Sequence, residues 1–428
     1  MVMGFTLDTR ILTLALARMV DALANSFLVV VLPLYIGSQL VSLPAFVGTT
    51  IPLGVTEFAL TPELLIGIVL SLFGFLNSFS QPFTGSLSDR TGRRTAFLLF
   101  GLALVAVGSA GYLFFTDYLS ILVMRALQGI GAAFTIPVTV ALVNELSPEN
   151  ERGGNFGLYN TFRLLGFGTG PLVAGVVVTA GPYTLGGIDI TGFDAAFLVA
   201  VAGAVISFVL VALLIEDPER TESEAADDIS ITIRNADGPG LDPVFALGLA
   251  TIVMALSIAM YAPLANVINE RLDQGTFLFS VQFGATVLAN VVFQYPIGRL
   301  SDRYGRQPFL IGGFLLLLPT TLAQGYILSS ELMILARFLQ GVAVAAVFAP
   351  SLALAGDLAK EGQSGSTLSV LTMGFGLGIA FGTLFSGILV GFGFAVPFVA
   401  ATVLGSIGLY LVVTQVVETV TPMPVSGD

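Results

Sequence analysis

Asp21 is the one carboxylate that falls well inside an apolar run of membrane length. Arg18 lies three positions before it and Asn25 four after, so on a helix all three share a face. A charge in hydrocarbon costs at least about 2.5–3.5 kcal/mol on insertion scales, so a carboxylate there needs a task. Two tasks are open. Asp21 binds and releases a coupling proton, with desolvation and neighbouring arginine pulling its proton affinity in opposite directions. Or it forms a permanent ion pair with Arg18 and never titrates. Arg125, Arg163 and Arg337 also fall inside apolar runs. The chain has no Cys and no His, which excludes disulfides, thiolate or imidazole metal sites and histidine proton relays. Its single lysine, Lys360, follows Ala359 and precedes Glu361, so there is no P-loop and no ATP hydrolysis of that type. Gly129-Ile-Gly131 sits inside an apolar run, not at a strand–helix turn, and is rejected as a nucleotide loop. No nucleophile–base pair stands out. Neither an enzyme, a cofactor, a metal nor a nucleic-acid partner is expected.

The elements that must position these residues are membrane helices. Of 428 residues, 55% are hydrophobic and only 10% charged, against about 25% charged in an ordinary soluble domain. A helix needs about 20 apolar residues to cross the hydrocarbon core. Twelve such runs are present, from 11–36 through 243–268, the seventh, to 395–417. Lipid offers no partners for free backbone groups, so the spans must be helical. The first run is too long for a signal-peptide core and reads as the first span. Put the N-terminus inside, and the inner loops hold Arg10, Arg90, Arg93, Arg94, Arg152, Arg220, Arg234, Arg299, Arg303, Arg306 and Lys360, against Arg271 alone outside. That asymmetry predicts both termini in the cytoplasm. Asp21 is then about 15 Å from the inner end of its span, Arg163 about 10 Å from the inner end of its own, and Arg125 roughly 10 Å further out than Asp21.

The strongest sequence signal is a repeat. Gly85-Ser-Leu-Ser-Asp89-Arg90-Thr-Gly92-Arg93-Arg94 returns, offset by 213, as Gly298-Arg-Leu-Ser-Asp302-Arg303-Tyr-Gly305-Arg306-Gln307. Arg125-Ala-Leu-Gln128-Gly129 resembles Arg337-Phe-Leu-Gln340-Gly341 at an offset of 212. A basic, glycine-punctuated turn between two membrane-length runs, repeated once per half, resembles the loop after the second helix in each half of a major facilitator superfamily transporter. The resemblance covers nearly the whole chain. Gly166-Phe-Gly-Thr-Gly170-Pro171-Leu-Val-Ala-Gly175 in the fifth run is similar to a motif found mainly in exporters and antiporters of that family, with Ala174 where the family has glycine. Close helix packing with no bearing on direction is the other reading of these glycines.

The resemblance implies an all-α fold of twelve transmembrane helices in two pseudo-symmetric six-helix bundles, 1–215 and 242–428, joined by an acidic cytoplasmic linker, 216–241. It places the fifth helix near the first, so Asp21, Arg18 and Arg163 are expected to cluster, with Arg125 a less certain partner. It makes the repeated turns (Gly85, Asp89, Arg90, Gly92, Arg93, Arg94; Gly298, Asp302, Arg303, Gly305, Arg306) a latch on the inner side, stronger in the first copy because Gln307 replaces the last arginine. Asn25, Asn77, Gln81, Tyr159, Asn160, Asn266, Gln282, Asn290, Gln294 and Arg337 are candidates to line a cavity or to bond between helices. The expected function is proton-coupled export of a small, hydrophobic solute across the cytoplasmic membrane by a monomer, in the manner of drug/proton antiporters. An importer or uniporter of the same fold, or a non-transporting sensor, stays open. The net charge of −12 suggests a salt-loving archaeon or an ordinary bacterium with one acidic linker.

Overall fold

The structure is a computed structural model, and it describes residues 8–53, 56–148, 152–217, 233–234, 240–358 and 364–419. Most of the linker 216–241, together with Arg220 and Lys360, lies outside the described residues. Among the described residues, twelve helical segments are long and apolar enough to cross a membrane. They are built from α1 (Thr9–Ile36), α2 (Pro62–Thr91), α3 (Arg94–Gly111), α4 (Tyr118–Leu146), α5 (Arg152–Ala180), α6 (Gly192–Leu214), α7 (Pro243–Ala259) with α8 (Ala265–Arg271), α9 (Thr276–Tyr304), α10 (Arg306–Gln324), α11 (Ser330–Leu358), α12 (Ser364–Leu389) and α13 (Val396–Gln415). Two short antiparallel hairpins complete it, β1 (Thr50–Leu53) with β2 (Thr56–Ala59), and β3 (Tyr183–Leu185) with β4 (Ile188–Ile190). Large apolar side chains such as Phe83, Phe114 and Leu213 point outward, as suits helices whose solvent is lipid.

Helix starts are set by acidic and hydroxyl caps. Asp8 accepts from the Arg10 amide at 2.8 Å, and the Arg10 guanidinium on the same carboxylate holds it below the usual range. Asp117 accepts from Ser120 N at 2.9 Å. Thr191 and Asp194 form a capping box at α6, and Asp242 caps α7 ahead of Pro243. Each satisfies amide donors that a helix leaves orphaned in its first turn.

The seventh span is broken between α7 and α8, where the sequence reads as one run. Pro263 supplies no N–H and its ring crowds the preceding turn. Leu264 N therefore donates to Tyr261 O at 3.2 Å, closing a 3₁₀ turn at Ala262–Leu264. The Met260 carbonyl, freed by the break, accepts from Ser386 Oγ at 2.6 Å.

By contacts, the described residues of 1–43 and 75–226 form one compact unit, and those of 44–74 and 227–428 another. In the first, α1 packs on α5 and α6, and α3 on α4 and α6. Its core gathers Ile11, Leu14, Leu98, Leu102, Leu142 and Val211. In the second, α7 packs on α12 and α13, and α11 on α9 and α10, around Ala250, Met254, Leu310, Phe314 and Val347.

The sequence repeat persists at the level of contacts. A Cβ on Gly101 would press into Gly131 O, and one on Gly313, 212 residues later, into Ala343 O. On α5, Gly166 and Gly170 let the backbone of α1 approach, and a Cβ would collide with Met19 O or Leu23 O. On α12, Gly378 and Gly382 do the same for α7 at Ile252 O and Leu256 O. The offset is again 212.

Candidate functional site

The Arg18–Asp21 pair sits on α1 where that helix is gripped from two sides. Gly166 and Gly170 bring α5 against Met19, Leu23 and Ser26, and Ser207 of α6 donates to the Ala17 carbonyl at 3.1 Å. Arg18 Nη1 donates to Asp21 Oδ2 in a close ion pair, with the two side chains only 13% and 12% exposed. Arg18 Nε is buried with no hydrogen-bond partner. Tyr159 and Arg163 of α5 bring their hydroxyl and guanidinium close to it. Arg163 donates from Nε and Nη2 to Asn160 Oδ1, at 3.0 and 2.8 Å. Arg18 and Asp21 line a small cavity with Leu14 and Ala17 of α1, Leu98 and Leu102 of α3, Thr135 and Thr139 of α4 and Val211 of α6. The structure thus brings Asp21, Arg18, Tyr159, Asn160 and Arg163 to one place. An ionised Asp21 is held by Arg18; a protonated one would release a buried guanidinium. That is a pair whose interaction energy depends on a single proton.

Arg125 is not joined to Asp21. It is buried at 1% exposure, and Nη1 donates to Gln128 Oε1 at 3.1 Å. Gln128 also accepts from the Tyr112 hydroxyl at 3.0 Å and donates to Ser109 Oγ at 3.0 Å. The second unit repeats this. Arg337, equally buried, donates to Gln340 Oε1 at 2.5 Å, and Gln340 donates to Thr321 Oγ1 at 2.9 Å. Arg337 also lies over the Tyr261 ring, 4.1 Å from its centre, a cation–π contact. The Tyr261 hydroxyl, at the break in the seventh span, donates to Gln282 Oε1 at 2.5 Å. Gln282 goes on to Gln274, which accepts from Ser330. Sequence reading found the Arg-x-x-Gln repeat but not Ser109, Thr321 or Tyr261; the shared 212 offset of Ser109 and Thr321 was the available signal.

The remaining polar candidates divide. Gln81 bonds Asn77 on its own helix at 3.0 Å. Asn290 Oδ1 is buried with no hydrogen-bond partner. Asn25, Asn266 and Gln294 are half-buried.

The repeated turns close on acidic helix ends. In the first copy Arg94 pairs with Asp89 and, at 2.6 Å, with Glu145 at the end of α4, and it donates to Ser88 Oγ at 3.1 Å. In the second copy Arg306 pairs with Asp302 at 3.3 Å and with Asp357, near the end of α11, at 2.5 Å. Arg90, Arg93 and Arg303 are exposed and make no ion pair among the described residues. Gly92 and Gly305, equivalent in the repeat, both have positive φ, 65° and 101°. That backbone turns one helix into the next and favours glycine. Gly85 and Gly298 are less constrained: a Cβ would stand at ordinary distances, 3.7 and 3.8 Å, from Pro137 and Ala349. The first amides of α3 and α10 meet carboxylates beyond the last span of each unit, Thr95 N to Asp217 at 2.6 Å and Gln307 N to Glu418 at 2.8 Å.

Twelve candidate spans among the described residues, with a contact-level internal repeat and a buried carboxylate–arginine pair, mark a polytopic membrane protein. The sequence matches the Major Facilitator Superfamily over residues 14–237 and 247–426, and the chain belongs to that family. It is 24% identical over 260 residues to an uncharacterised MFS-type transporter of Methanocaldococcus jannaschii, covering 59% of this chain and 64% of the relative, under two thirds of its length. It is 26% identical over 294 residues to multidrug resistance protein MdtG of Escherichia fergusonii, covering 64% of this chain and 67% of the relative. Among solved structures it is similar to a bacterial homolog of the human lysosomal transporter Spinster, inward-facing and occupied, with TM-score 0.74, 12% identity and 95% and 96% of the two chains covered. It is also similar to a D-xylose–proton symporter, with TM-score 0.70, 16% identity and 96% and 99% covered. These likenesses show the fold. The protein is a multi-pass membrane protein of that family.

Proposed function

We propose that this transporter exports a small solute across the cytoplasmic membrane by alternating access, coupled to protons at Asp21, with both termini in the cytoplasm. The observation that carries the coupling is the Arg18–Asp21 pair. Asp21 is the one carboxylate, among the described residues, at least seven residues from either end of its span. It is nearly sealed from solvent, it borders a cavity, and the Nε of its partner Arg18 is buried with no hydrogen-bond partner. The export direction is supported by the Gly166-to-Gly175 motif with Pro171 on α5, and by similarity to MdtG, named for multidrug resistance.

Direction is tested in everted and right-side-out membrane vesicles energised by an imposed pH gradient. A panel of ethidium, tetraphenylphosphonium, chloramphenicol and benzoate serves as probes. An exporter accumulates its solute in everted vesicles only. Accumulation in right-side-out vesicles alone would make the protein an importer.

A further inference from the structure

Charge does not balance within the spans. Among the described residues, span positions at least seven residues from a helix end hold one carboxylate, Asp21, against the arginines at 18, 125, 163 and 337. Asp21 is engaged by Arg18. Arg163 has no carboxylate within ion-pair distance among the described residues, and its nearest charged neighbour of note, Arg18, has the same sign. An isolated guanidinium in a membrane segment is costly, and such residues mark binding pathways more often than filler.

The geometry of Arg163 is that of a half-used fork. Nε and Nη2 both donate to Asn160 Oδ1, which fixes the plane of the group. Nη1 has no hydrogen-bond partner among the described residues. The side chain is half-buried, not sealed. Arg337 also bonds an amide oxygen and keeps an Nε without a hydrogen-bond partner, but it is closed off at 1% exposure and lies on the Tyr261 ring, so it presents no open edge.

We propose that the transported solute is a small organic carboxylate, and that its anionic group docks on the free edge of Arg163, beside the Arg18–Asp21 pair. The planar guanidinium matches a carboxylate in shape and donor spacing, and Asn160 leaves the outer edge presented. With the solute bound and Asp21 ionised, Arg18, Asp21, Arg163 and the carboxylate sum to zero charge. Empty, the cluster carries one excess positive charge in a low-dielectric setting, where imbalance is penalised most. The inference rests on the reading of this chain as a solute transporter working at α1 and α5, and it does not depend on the direction of transport or on proton coupling.

The test is equilibrium binding to the purified full chain in detergent at fixed pH, followed by calorimetry or thermal shift, so neither coupling nor direction enters. The probes are benzoate, 1-naphthoate and decanoate, each set against its own carboxamide. At least one carboxylate should bind, its amide should bind at least about tenfold more weakly, and Arg163→Gln should weaken the carboxylate by a similar factor. Arg163→Lys should retain part of the affinity. Amides that bind as well as the acids, carboxylate binding unchanged in Arg163→Gln, or no carboxylate bound at all would each overturn the proposal. Should Arg163→Gln fail to fold, the acid–amide comparison on the unmodified chain and the Arg163→Lys variant still decide it. A chain that binds carboxylates at Arg163 yet moves no protons would sink the coupling at Asp21 and leave this site standing.

Discussion

Arg94 and Arg306 perform the same task from different places in the repeat. The 213-residue offset pairs Arg94 with Gln307, yet it is Arg306, one residue earlier, that reaches the acidic end of α11 as Arg94 reaches that of α4. The acids themselves, Glu145 and Asp357, keep an offset of 212. Gln307 has taken another role. Its side chain donates to the Val412 and Val416 carbonyls, the latter at 2.8 Å, and its amide to Glu418. The first copy ties its turn through a buried arginine; the second ties the C-terminal end of α13 to the same spot.

Breaking the two ion pairs should have unequal effects. Arg94 and Glu145 are 5% and 15% exposed as side chains, Arg306 and Asp357 12% and 38%, so the carboxylate of the second pair is the one open to solvent. Glu145→Gln leaves a buried guanidinium short of a partner, a loss on the order of 3 kcal/mol for a sealed pair. Asp357→Asn removes a solvent-screened one, on the order of 1 kcal/mol or less. Thermal unfolding in detergent should show a clear fall in Tm for the first and a small one for the second.

Glycine positions give a second contrast. Gly166→Ala and Gly378→Ala force a methyl into the carbonyls of Met19 and Ile252, within helix pairs that cannot separate without losing their packing. Gly157→Ala and Gly312→Ala meet open space and gain helix propensity of up to about 1 kcal/mol. Size-exclusion profiles after heating should separate the pairs: early loss of the monodisperse peak for the first two, no loss for the others.

What could be read from sequence was whatever hydrophobicity and repetition encode. The twelve spans follow from apolar runs because lipid forces them helical, and the meeting of Asp21, Arg18 and Arg163 followed from the family resemblance. The break in the seventh span was hidden because Pro263 lies in an unbroken apolar run, and a proline there is as compatible with a bend as with a 3₁₀ turn. The exchange of roles between Arg306 and Gln307 was hidden because an alignment matches residue types, while side-chain reach is set by the helix phase at the turn. Ser109, Thr321 and Tyr261 carry no charge and look like ordinary span residues until the arginines they help to settle are seen beside them.

Gln340 offers a test of how Arg337 is settled. Gln340→Leu removes its hydrogen-bond acceptor in a site with no carboxylate nearby among the described residues, and should destabilise by about 2–4 kcal/mol. Gln340→Glu places a carboxylate at the same reach and should be far better tolerated. Equal Tm values for the two variants would mean that the Tyr261 ring alone suffices.

Positive φ at Gly92 and Gly305 predicts a third pattern. Alanine at either position should cost about 1 kcal/mol or more; at Gly305, where φ 101° and ψ 145° place the backbone in a region essentially confined to glycine, asparagine should be no better tolerated than alanine. The second copy has an added obstacle, because a Cβ at Gly305 would press on the Glu418 carboxylate at 2.8 Å. Gly305→Ala should therefore lower Tm more than Gly92→Ala, and Glu418→Ala should relieve part of that difference.

The most direct measurement is proton movement in proteoliposomes with a pH dye trapped inside, comparing the unmodified chain with Asp21→Asn and Asp21→Glu under an imposed solute gradient. The unmodified chain should change the internal pH when a transported solute is present. Asp21→Asn should abolish that change while solute binding survives, and Asp21→Glu should restore part of it. Undiminished solute-driven proton flux in Asp21→Asn would contradict Asp21 as the coupling site and leave the Arg18–Asp21 pair a fixed structural contact.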